Sequence, residues 1–177
     1  MSYLCKVNIT DMEKVDTQDP KVKKAKTDEK TKETLKTRRL LIKELKTLGC
    51  QPKINEDDNN CVVFAFQGEM FRAYVKGWWI EVWHYNWEVA DLNDIEDFSR
   101  LRKAINIANF DGAVTTVYEV DKENGRVYLH AKLVFILVPE IHELDTYLYV
   151  QIVRFFYPHR IIELEMERMR RDEGAFN

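Results

Sequence analysis

Between Cys61 and Trp83 the chain runs through three short apolar stretches, Cys61 to Gln67, Met70 to Val75 and Trp78 to Trp83, broken only by Gly68-Glu69 and Lys76-Gly77. Breaks this short leave room for hairpin turns and nothing larger, so the three stretches must lie antiparallel as a meander. The third stretch opens the run Trp78-Trp79-Ile80-Glu81-Val82-Trp83-His84-Tyr85-Asn86-Trp87, which holds all four tryptophans of the chain. Side chains alternate across a strand, so Trp78, Ile80 and Val82 form one row, expected in the core. Trp79, Glu81 and Trp83 form the other. A sheet face left to solvent does not normally carry two tryptophans, and this second row marks a contact surface.

The flanking segments read as helices and a second hairpin. Asp28 or Thr31 opens a helix to about Leu48, with Leu41, Leu45 and Leu48 on a stripe flanked by Leu35 and Ile42, and Gly49 as its stop. Pro52 to Ile54 offers a short edge strand. Asn93 or Asp94 caps a helix that places Ile95, Phe98, Leu101, Ile105 and Ala108 on one side. Val114 to Asp121 and Arg126 to Leu137 are strands joined at Lys122-Glu123-Asn124-Gly125. Pro139 opens a last helix striped by Ile141, Leu144, Leu148, Ile152 and Phe155, broken at Tyr157-Pro158, with Ile161 to Arg171 resuming as a charged helical segment. The order is helix, three strands, helix, two strands, helix. That predicts an α+β domain, a five-stranded antiparallel sheet with helices packed on one face. Residues 1–27 are expected as a mobile N-terminal arm, 28–158 as the domain and 159–177 as a charged helical tail.

The net charge of −3 hides an asymmetry: Lys21 to Leu48 carries eleven Lys/Arg against four acidic residues, whereas residues 49–177 carry fourteen against twenty-two. An acidic body repels nucleic acid on average. Cys5, Cys50 and Cys61 are odd in number and lack metal-type spacing, which points to a reducing, cytoplasmic setting. No secretory leader precedes them, and the longest apolar run, Leu133 to Pro139, is far shorter than a membrane span.

Several stretches together resemble the YbjN-like family, which shares the fold of type III secretion chaperones. They are Val63-Phe64-Ala65-Phe66-Gln67-Gly68-Glu69-Met70-Phe71, the helix Leu101-Arg102-Lys103-Ala104-Ile105-Asn106-Ile107-Ala108-Asn109, the hairpin Val114 to Tyr118 with Arg126 to Leu129, and the closing helix Leu144 to Phe156. The resemblance spans roughly residues 30–158. It implies a chaperone-like module that holds other proteins, often as a homodimer, and it brings no catalytic residues. The basic N-terminal stretch, the density of tryptophan and the charged segment after Pro158 depart from the family pattern.

The candidate contact face comprises Arg72, Tyr74, Trp79 and Trp83 from the meander, with Tyr128, His130 and Lys132 from the last strand. The register between strands is left open. Rigid aromatic rings interleaved with cations suit protein contacts, because they bury area at little entropic loss. The same rings could instead be covered by the chain's own arm or tail, or serve small-ligand or weak single-stranded nucleic-acid binding. Metal and cofactor chemistry find no motif: His84, His130, His142 and His159 stand singly in the sequence, and no glycine-rich phosphate loop occurs. Nor is there a Gly-x-Ser-x-Gly turn; Asp91, Asp94, Glu96 and Asp97 suit a helix N-terminus without chemistry. The expectation is a non-enzymatic, protein-binding homodimer with no catalytic or metal residue and no membrane partner, in which His130 and Glu119 are ordinary contacts.

Overall fold

The computed structural model describes residues 20–174, and the side chains of residues 31–173. Along the chain run α1 (Pro20–Thr47), β1 (Lys53–Ile54), β2 (Cys61–Phe66), β3 (Glu69–Lys76), β4 (Trp79–Asp91), α2 (Ile95–Asp111), β5 (Thr115–Asp121), β6 (Arg126–Ile136), α3 (Leu144–Val153) and α4 (Phe156–Gly174). All neighbouring strands are antiparallel, in the order β1-β2-β3-β4-β6-β5. The expected meander is therefore present. The sheet has six strands rather than five, because Lys53 and Ile54 pair with Val63 and Val62.

Other boundaries differ from the sequence expectation for local reasons. α1 begins at Pro20, so residues 20–27 assigned to the arm are helical, and proline is well suited to a first helical turn. The rest of the arm, residues 1–19, lies outside the described residues. Pro139 lies in a turn, and α3 starts only at Leu144, after Glu143 at φ 49°. The break between α3 and α4 falls at Arg154-Phe155, ahead of Pro158, which occupies the first turn of α4, where its missing N–H costs no helical bond. The hairpin turns match their residues: Gly68, Gly77 and Gly125 all adopt positive φ.

One face of the sheet is core. Val62, Phe64, Phe71, Ala73, Val75, Ile80, Val82, Leu133 and Phe135 meet Leu41 and Leu45 of α1 and Leu148, Ile152 and Phe155 around α3. Val127 and Leu129, toward the other end of β6, meet Leu101, Ala104, Ile105 and Ala108 of α2 and Ile162 of α4. The charged C-terminal segment is thus the helix α4, which packs on α2. Two ion pairs, Arg170 with Asp97 and Arg100 with Glu173, tie their exposed sides. Trp78 departs from its expected core row. It stands 55% exposed in the turn before β4, with its carbonyl accepting from Leu137 N–H.

A bulge in β4 lets this one strand serve both clusters. His84 lies opposite Ala131 and Glu88 opposite Leu129, so Tyr85, Asn86 and Trp87 oppose only His130. Asn86 takes the left-handed conformation the bulge requires, φ 53°. Trp87 turns inward and packs against both clusters.

Two histidines that stand far apart in sequence meet beside it. His159 stacks on Trp87 at 3.9 Å between ring centroids and lies 5.1 Å from His84. His84 Nε2 is 3.1 Å from Glu69 Oε2, while His84 Nδ1, Trp87 Nε1 and His159 Nε2 are buried without a protein partner. Burial, then the neighbouring His84 charge, pushes the His159 ring down to about 4; burial also lowers His84 against the opposing pull of Glu69. A depressed folded-state value means the neutral ring favours the fold above the ordinary histidine range, and this contribution is lost as pH falls from about 6.5 toward about 4. Denaturant midpoints measured from pH 7 to pH 4 should show a loss of up to about 3 kcal/mol in that window. His159→Phe, which keeps the stacking, should flatten it; an unchanged slope in that variant would discount the histidine pair as its source.

Candidate contact face of the sheet

All helices of the described residues pack on the core face, which leaves the opposite face of the sheet without a covering layer. The register now unites the candidate residues on that face. Trp83 lies between Arg72 on β3 and Lys132 on β6, Glu81 between Tyr74 and Val134, and Trp79 between Lys76 and Ile136. Tyr128 and His130 continue the row on β6, opposite Glu119 and Val117 of β5.

Contacts within the face show how it is held. Trp83 and Tyr85 stack with centroids 5.2 Å apart and planes 6° from parallel. Lys132 Nζ lies 5.2 Å from the Trp83 ring and the Arg72 guanidinium 5.8 Å from the Tyr85 ring, within reach of cation–π attraction. Glu81 accepts from Trp83 Nε1–H and from Lys76 Nζ, both at 2.7 Å. The Lys76 and Trp83 hydrogen bonds hold the Glu81 carboxyl below its ordinary range. Tyr85 is pushed up to about 12 by loss of water around its phenol and by a hydrogen bond with Tyr74, so it stays neutral and acts as a ring and a hydrogen-bonding group. Rings fixed by neighbours in this way lose little freedom when a partner covers them.

Among the sequence candidates, Arg72, Tyr74 and Trp83 converge around Tyr85, and Lys132 joins them over the Trp83 ring. Trp79, 49% exposed, lies at the Ile136 end of the face and Tyr128 toward the other. His130 has a different part from the surface contact expected of it. It is 8% exposed; its Nδ1 accepts the Asn86 N–H at 3.1 Å, and its Nε2 faces Glu119 Oε2 at 3.5 Å. The ring therefore satisfies the backbone of the bulge while its edge meets Tyr85, 5.5 Å between centroids. Tyr85, Val134 and Ile136 were missed, although each shares alternation parity with a residue that was chosen: Tyr85 with Trp83, the other two with Lys132. Val134 is 45% exposed and Ile136 38%, so they extend the aromatic cluster with aliphatic surface. The described part of the C-terminal segment does not cover this face, since α4 lies against α2 on the core side.

No protein-family model matches the chain, and no curated protein matches it. Among solved structures, the crystal structure of YbjN from E. coli is similar at 12% sequence identity, over 76% of this chain and 92% of that chain, with a TM-score of 0.44. No helix among the described residues is long and apolar enough to cross a membrane.

The bulge's dependence on His130 is testable. His130→Ala removes the acceptor of the Asn86 N–H, and losing one such hydrogen bond at a residue open to water costs about 0.5–1.5 kcal/mol net. Thermal or urea unfolding should show that loss. A variant as stable as the parent would mean the ring is dispensable to the bulge.

Proposed function

We propose that this chain is a non-enzymatic protein-binding domain that works through the open face of its sheet, and that its occupant is a second copy of the chain. The observation carrying this reading is the cluster of Trp83, Tyr85 and Tyr74 with Arg72 and Lys132, held in place on a face that no helix among the described residues covers. Contiguous exposed apolar surface with a polar rim is characteristic of interaction sites, and aromatic and arginine side chains dominate their energetics. Self-association is favoured by the composition of the face. Its charges are largely answered within the face, Lys76 by Glu81 and the Arg72 and Lys132 cations by the Tyr85 and Trp83 rings, so two copies related by a two-fold axis can pack their rings and the Val134–Ile136 strip together without setting unpaired like charges against each other. Base stacking is less well supported, because Trp83 and Tyr85 already stack on each other and lie beside the chain's own cations.

Sedimentation equilibrium over a dilution series should show a dimer that dissociates. Trp83→Ala should shift it toward monomer by about 2 kcal/mol or more, roughly a thirtyfold weaker dissociation constant. A single mass across the dilution range, equal in parent and variant with circular dichroism unchanged, would reject the assignment.

A further inference from the structure

Away from the sheet face, a groove of about 1150 Å³ runs between α1 and the turn that follows β6. Lys32, Lys36, Arg39 and Lys43 line its α1 side. Their spacing of four, three and four places them along one face of the helix, a stripe of about 16 Å at 1.5 Å per residue. Each is exposed. The apolar lining is contributed by Leu40 of α1, Trp78, and Leu137 to Pro139. The Trp78 backbone is anchored on both sides: Gly77 N–H donates to Thr34 Oγ1 at 3.1 Å, and the Trp78 carbonyl accepts from Leu137 N–H at 2.9 Å. A large ring is thereby presented to solvent from a turn tied to both α1 and the end of β6.

We propose that this groove docks an acidic peptide segment carrying a bulky apolar side chain, on a surface separate from the sheet face and independent of its self-association. Charge complementarity is the first argument. A file of four cations, of which Lys43 pairs with the adjacent Glu44 at 2.9 Å, stands on a chain whose residues 49–177 carry fourteen basic against twenty-two acidic side chains, so the Lys32, Lys36 and Arg39 part of the stripe is a local attractor for negative charge on a body that repels it. Size is the second. Sites for small molecules run about 300–1,000 Å³ and are largely enclosed, whereas this groove is open and long, as an extended or helical segment requires. Chemistry of the lining is the third. Trp78 with the Leu137–Pro139 strip offers an apolar anchor beside the cations, and Glu33 and Glu140 at the same groove disfavour a continuous polyphosphate backbone. A peptide can place its acids opposite the lysines and a neutral residue opposite Glu140; a nucleic acid cannot omit a phosphate.

The test is a displayed library of short random peptides, panned against the purified full-length chain, with anisotropy titration of the selected sequences. Selected peptides should combine Asp or Glu with Trp, Phe or Leu, and bind more weakly as salt is raised. Lys36→Glu with Arg39→Glu should weaken them at least about tenfold, and so should Trp78→Ala. Trp83→Ala, on the sheet face, should leave them unchanged, which separates this site from the proposed dimer surface. Lys36→Gln with Arg39→Gln, checked by circular dichroism, guards against a folding defect in the charge-reversal pair. Selection without acidic enrichment, affinities unmoved by the groove variants, or tighter binding of a single-stranded oligonucleotide that these variants abolish would each overturn the proposal.

Discussion

The pairing of β4 with β6 is the contact on which the remaining architecture depends. β1 to β4 form one meander and β5 with β6 one hairpin, and the two become a single sheet only through this ladder, which runs from Trp79 opposite Ile136 to Asp91 opposite Arg126. A flat strand of that length would present one continuous row to one helix layer. The bulge at Tyr85 to Trp87 increases the local twist and divides β4 between a cluster beneath α1 and α3 and another beneath α2 and α4. Trp87 touches both clusters, and His130 closes the hydrogen bonding that the bulge leaves open. One device in the backbone thus joins the two parts of the core and sets the geometry of the aromatic face behind it.

The sequence was most legible where period and turn chemistry agree. Gly68, Gly77 and Gly125 mark hairpins that the structure contains, and Asp94 caps α2 by accepting from the Asp97 N–H. Alternation also separated Trp79 and Trp83 from Ile80 and Val82 correctly. Alternation failed at Trp78, because a residue at a turn belongs to neither face. Beyond His84 alternation offers no guide, because the inserted residues of the bulge have no period. β1 was read only as an optional edge strand because two residues cannot display a pattern. The partnership of His84 with His159, and of α4 with α2, arises from long-range packing that no local signal carries. Of the candidate face, the strand parity was legible; the stack of Trp83 on Tyr85 and the cations above it depend on inter-strand register, which parity leaves undetermined.

The two surfaces differ in physical character. On the sheet face, cations lie over rings of the same chain and carboxylates are satisfied locally, so charge is largely neutralised and shape dominates any association. Along α1 the cations stand in a file against an acidic body, and long-range attraction would govern encounter there. Salt should therefore distinguish them: screening weakens interactions between exposed charges beyond about 8–10 Å, and it affects apolar packing much less.

The strand order β4-β6-β5 has a consequence for how the chain is made. β4 is complete at Asp91, but its second edge partner, β6, ends only at Ile136, with α2 and β5 synthesised in between. Until β6 emerges from the ribosome, β4 exposes a bare hydrogen-bonding edge flanked by tryptophan on one side and core aliphatics on the other, the kind of intermediate most prone to pair with another nascent chain. Closure of that edge requires a loop of dozens of residues to form first, and such non-local pairing slows folding.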